Sequence, residues 1–102
     1  MSHFLEAVAL LLPPEAGGRE TVITPRDGSY RPFASAGEAR IRIRMIEGPP
    51  FIEPGQAARV VVEVERGEIE SLAVGTELVL QESDTVVGRL TVLRVMREAV
   101  AV

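Results

Sequence analysis

The ten residues EARIRIRMIE, 38–47, set Ile41, Ile43 and Met45 in alternation with Arg40, Arg42 and Arg44. Successive side chains of a β-strand leave opposite faces, so a period of two predicts a strand with one buried and one solvated face. The stretch that follows, GPPFIEPGQ (48–56), holds three prolines and two glycines and predicts a wide loop. AARVVVEVER (57–66) is β-branched and again partly alternating, and predicts a second strand antiparallel to the first.

The remaining segments extend this pattern. Residues 67–75 read as a connection, 76–82 as a strand with Leu78 and Leu80 on one face, Ser83 and Asp84 as a turn, and 85–96 as a last strand. Gly88 inside that strand predicts a bulge or a close backbone approach. A first strand over 4–12 and a short one near 20–24 bring the expected number to six with no helix, and residues 97–102 are expected to fray. Several short strands with turn signals between them predict an all-β antiparallel barrel or sandwich. Ile41, Ile43, Val60, Val62, Leu78, Leu80, Leu90 and Val92 are expected to face inward. With no repeat and no linker, residues 1–102 read as one domain.

A chain of 102 residues, 46% apolar and 25% charged, can bury a core without metals or disulfides. The lack of cysteine excludes a disulfide framework and cysteine-based zinc sites, and fits a reducing compartment, the cytoplasm being the simplest. Fifteen acids stand against eleven arginines and no lysine, a net charge of −4, which provides no general attraction to phosphate backbones or anionic lipid. The apolar run within FLEAVALLLPP (4–14) is too short to span a bilayer, has no basic residues before it and is interrupted by Glu6. It reads as a buried strand rather than an export or membrane segment.

Candidate chemistry is sparse. His3 is the sole histidine, so neither a histidine-activated nucleophile nor a multi-histidine metal site can be assembled. Glu47 with Glu53, and Glu63 with Glu65, have the composition of paired carboxylates, but read better as solvated charges on strands and loops. No G-x-x-x-x-G-K-[ST] phosphate loop is present, so no guanine nucleotide is expected to bind. No catalytic residue, cofactor or metal is expected. The stripe Arg40, Arg42 and Arg44 would form a concentrated positive strip on one sheet face, suited to an acidic peptide or an RNA strand. A cross-strand ladder with Glu63 and Glu65 is the favoured reading of that stripe.

The order of HFLEAVALLL, GGRET, SYRPF, IEPGQAARVVVEV, LAVGTELVLQE and VGRLTVLRV along almost the whole chain resembles the C-terminal β-barrel domain (domain 3) of translation elongation factor Tu. The resemblance implies a six-stranded antiparallel barrel in which residues 17–33 form the loop and short strand after the first barrel strand. In physical terms, Gly17 and Gly18 permit backbone angles closed to other residues, Pro32 restricts Arg31, and Tyr30 can bury a ring while its hydroxyl stays wet.

That family's barrel helps hold aminoacyl-tRNA, and the resemblance places such contacts where this chain has Glu20 instead of histidine, Phe33 instead of glutamine, and QESD (81–84) instead of a basic, glycine-rich turn. Acids at these places oppose a phosphate backbone. The expectation is therefore a stand-alone, non-catalytic module that binds a protein partner or a second copy of itself through Glu20, Tyr30, Arg31, Phe33, Gln81 and Asp84. The alternative is RNA or tRNA bound on Arg40, Arg42 and Arg44.

Overall fold

The computed structural model describes residues 3–67 and 72–97. Six strands run through them: β1 His3–Leu11, β2 Phe33–Ala36, β3 Ala39–Glu47, β4 Ala57–Arg66, β5 Glu77–Glu82 and β6 Thr85–Arg97. Every pairing is antiparallel, and the order β1-β4-β3-β2-β5-β6 closes on itself where β6 pairs β1. The expected barrel-or-sandwich is thus a closed barrel. No helix among the described residues is long and apolar enough to cross a membrane. Of the tail expected to fray, Arg97 instead closes β6 in register with His3, and residues 98–102 lie outside the described residues.

Alternation builds the interior. Leu5, Ala7, Ala9 and Leu11 of β1 point inward, as do Ile41, Ile43 and Met45 of β3, and all eight residues expected to face inward are buried, none more than 2% exposed. Burying each such aliphatic side chain is worth about 1.5–3 kcal/mol. Ala7, Ala9 and Ala34 sit among the larger Leu, Ile and Met side chains, the mixture of small and large that fills a narrow barrel. Ile23 and Ile52 complete the cluster through an isolated bridge, each N–H donating to the other's carbonyl at 3.0 Å.

The strand expected near residues 20–24 does not form. Pro25 opens a 3-10 turn, Pro25–Asp27, directly after Thr24, and that turn diverts the chain after the single Ile23–Ile52 bridge. The second barrel strand is instead Phe33–Ala36, hydrogen-bonded between β3 and β5. Its approach is already aligned with β3, because the Tyr30 and Pro32 carbonyls accept from the N–H groups of Met45 and Ile43 at 3.0 and 3.1 Å. Pro32 has no N–H to return, so the regular ladder starts only at Phe33.

Two local features stand out among several irregularities in the ladders. On β6, Gly88 lies so close to β1 that a Cβ there would strike the Leu10 carbonyl oxygen, which is the close approach expected of it. In the β3–β4 ladder the register passes from Arg42↔Arg66 to Ile43↔Val64, leaving Glu65 as an extra residue. This is a β-bulge, and it places Glu65 and Arg66 one after the other on the outside while Val64 packs against the core.

Candidate binding face

Phe33 opens β2 on its outer surface, opposite Arg42 on β3 and Gln81 on β5. Arg40 and Arg42 lie two residues apart on β3 and so share that surface. Their guanidinium carbons lie over the Phe33 ring, 3.7 and 4.3 Å from its centroid, a doubled cation–π contact. Each also caps a carbonyl: Arg40 Nη2 donates to Ser83 O and Arg42 Nη1 to Arg31 O, both at 2.8 Å. Two arginines of the stripe are thereby fixed in place.

The expected ladder forms only in part. Arg44 Nη2 donates to Glu63 Oε1 at 3.0 Å, as a cross-strand pair should. Glu65, displaced by the bulge, turns instead to Arg31, which grips it as a fork: Nε to Oε1 and Nη2 to Oε2, both 2.8 Å. The two hydrogen bonds from Arg31 hold the Glu65 carboxyl below the ordinary carboxylate range, and they raise the Arg31 guanidinium in turn. Glu63 and Glu65 each serve an arginine and do not form a carboxylate pair.

Beside Phe33 the Tyr30 hydroxyl donates to Glu82 Oε2 at 2.7 Å, and Arg19 Nη1 donates to the same oxygen. Arg19 also grips Thr21, donating from Nε to the backbone carbonyl and from Nη2 to Oγ1, both at 2.9 Å, and its guanidinium lies 5.2 Å from the Tyr30 ring centre. Burial, followed by the hydrogen bond to Glu82 and that carboxylate's charge, pushes the phenol well above the usual tyrosine range. The hydroxyl that could have been wet is committed to a carboxylate. The loop reaches this position through Gly17, whose φ of +88° is left-handed. Gly18 is needed for space rather than for angle, since a Cβ there would meet the Leu12 carbonyl.

Three shallow grooves, about 320, 320 and 290 Å³, adjoin around Arg42 and make one continuous face. Tyr30, Arg31, Phe33 and Gln81 line them together with Arg40 and Arg42, so residues expected as alternative sites belong to one surface. Glu20 and Asp84 are exposed and line none of these grooves. Arg44 sits farther along β3 with Glu63. Arg66, from the end of β4, lines two of the grooves without having been singled out by any feature of its sequence. Among the described residues no three His, Asp or Glu side chains gather in a way that could hold a metal ion.

No protein-family model matches the chain, and no curated protein matches it.

Proposed function

We propose that this barrel is a non-catalytic, cytoplasmic binding module that docks a protein partner through the face centred on Phe33. The observation that carries the reading is the Phe33 ring held under Arg40 and Arg42 with Tyr30 alongside. Phe, Tyr and Arg are the residues enriched at the energetic centres of protein interfaces, and a pre-ordered arginine loses less freedom on binding than a mobile one. The reading takes the chain to be a counterpart of the elongation factor Tu barrel that its segments resemble, with an aromatic, mixed-charge face in place of a tRNA platform.

RNA is the second reading, since an aromatic ring bordered by arginines is also the unit on which single-stranded bases stack. Here the guanidinium groups already occupy the ring, and a base would have to displace one of them. Glu65 and Glu82 on the same face would also repel a continuous run of phosphates.

The test is capture from native lysate at moderate salt with wild type, Phe33→Ala and the double variant Arg40→Ala/Arg42→Ala, alongside the sedimentation of the purified protein. A protein, or a second copy of the chain, retained by wild type and lost with Phe33→Ala supports the docking reading. Structured RNA that depends on the two arginines but not on Phe33, and is released steeply by added salt, overturns it. Calorimetry with GTP or GDP and magnesium should give no binding heat, because the chain carries no phosphate loop.

A further inference from the structure

The groove between β3 and β4 is lined by Arg31, Arg42, Glu65 and Arg66: three guanidinium groups against one carboxylate, in a chain whose net charge is −4. We infer that this notch receives a carboxylate from an acidic segment of the protein partner, with Arg42 and Arg66 as the receiving pair. The inference rests on the docking reading above and gives the partner a chemistry.

The ladder itself raises the question. Arg42 and Arg66 are register partners on neighbouring strands. Side chains directly opposite in an antiparallel pair stand close enough to interact, and like charges in that position destabilise the sheet. A ladder built only for stability would place an acid across from Arg42. Two acids lie nearby on β4, yet neither serves this pair: Glu63 is taken by Arg44, and the bulge turns Glu65 to Arg31. Among the described residues no carboxylate lies within ion-pair distance of Arg42 or Arg66. Local rules are broken in this manner mostly where a site is kept for a ligand.

The geometry also points to the kind of anion. Glu65 shows within the chain how the notch treats a carboxylate, gripped bidentately by a planar guanidinium. Arg42 is already held by its bond to the Arg31 carbonyl and by the Phe33 ring, so a ligand would meet it pre-ordered. At about 320 Å³ the groove is large enough for the end of an aspartate or glutamate side chain. The excess positive charge lies on Arg42 and Arg66, with Arg40 beside them over Phe33, and Glu65 interrupts it, a pattern that fits spaced carboxylates and opposes the unbroken charge of a nucleic-acid backbone. Arg66 also lines the groove beside Phe33, so a segment seated in the notch would run on to the aromatic centre of the face.

The test is fluorescence anisotropy at physiological salt with two labelled probes, a peptide of alternating glutamate and serine and an oligouridylate of equal charge. Arg66→Gln, Arg66→Lys and Phe33→Ala are compared with wild type, and thermal melting checks each fold. Wild type should bind the peptide more tightly than the oligouridylate. Arg66→Gln should weaken peptide binding about tenfold or more, the worth of one charge-assisted hydrogen bond, without lowering the melting temperature, since it relieves a like-charge contact. Arg66→Lys should recover part of the loss. Equal peptide binding by Arg66→Gln and wild type, tighter binding of the oligouridylate, or no peptide binding by wild type would overturn the notch. If Phe33-dependent capture of a protein persisted in that case, the docking reading would stand without it.

Discussion

The Tyr30 hydroxyl and Arg19 Nη1 meet on one oxygen, Oε2 of Glu82, tying the loop before β2 to the end of β5. Replacing Tyr30 by Phe keeps the ring and removes only the donor. The loss should be about 0.5–1.5 kcal/mol, a typical net value for one hydrogen bond, since Glu82 keeps Arg19. Urea denaturation reads this as a lower midpoint at constant slope; an unchanged midpoint would show that the bond contributes nothing.

The same residue gives the protein a simple alkaline response. The folded phenol titrates above its ordinary value of 10.0. As pH rises past about 10 the unfolded chain loses its phenolic proton while the folded chain keeps it, so the unfolded state binds fewer protons and stability falls. Below that pH the contribution is intact. The chain has one tyrosine, no lysine and no cysteine, and arginine stays charged, so no other side chain titrates between about pH 9 and 12. Wild type should lose stability steadily above pH 10, whereas Tyr30→Phe should not. Parallel alkaline profiles for the two proteins would rule out Tyr30 as the cause.

In the interior, Ile43 is fully buried on β3. Ile43→Asp would place a carboxylate in a cluster with no buried polar or charged residue among those described, at a cost of several kcal/mol. That is a large share of the ~5–15 kcal/mol typical of a domain's stability. Circular dichroism should show a mostly unfolded chain at neutral pH and a partial recovery on acidification, as the introduced carboxyl is protonated.

Gly88→Ala tests the contact between β6 and β1. The new methyl group would meet the Leu10 carbonyl, which is backbone and cannot swing aside as a side chain could. The substitution should cost about 1–3 kcal/mol, as overpacking does elsewhere. Hydrogen exchange should rise first in the amides joining Leu10 and Leu11 to Arg89 and Gly88. Unaltered protection there would mean that the two strands have more room than their spacing indicates.

Regular alternation is what made most of the barrel legible. The strand bounds expected for β1, β3, β4, β5 and β6 all agree with the structure to within one residue. The exceptions have local causes. Thr21, Val22, Ile23 and Thr24 have strand-like composition, but Pro25 ends their pairing after one bridge. Phe-Ala-Ser-Ala has no β-branched residue, and becomes β2 through its neighbours rather than its own preference. Val62, Glu63, Val64 and Glu65 read as unbroken alternation, so nothing in them betrays the bulge that sends Glu65 to Arg31. For the candidate face, Tyr30, Arg31, Phe33 and Gln81 were readable from segment resemblance. Arg66 was not, because its role depends on register, and a skipped residue in a ladder leaves no mark in composition.

Closure of the barrel has a consequence for how anything can recognise it. Each strand has a neighbour on both sides, and β1 is bonded to both β4 and β6. A closed sheet has no open edge where an incoming peptide could extend the ladder with its own main chain, the route by which many sheet proteins acquire sequence-tolerant ligands. Recognition must then pass through side chains and loops rather than through strand addition. Such a module is insensitive to the backbone shape of its partner and exacting about its chemistry, and a few substitutions around Phe33 could redirect it to another partner while leaving the barrel intact.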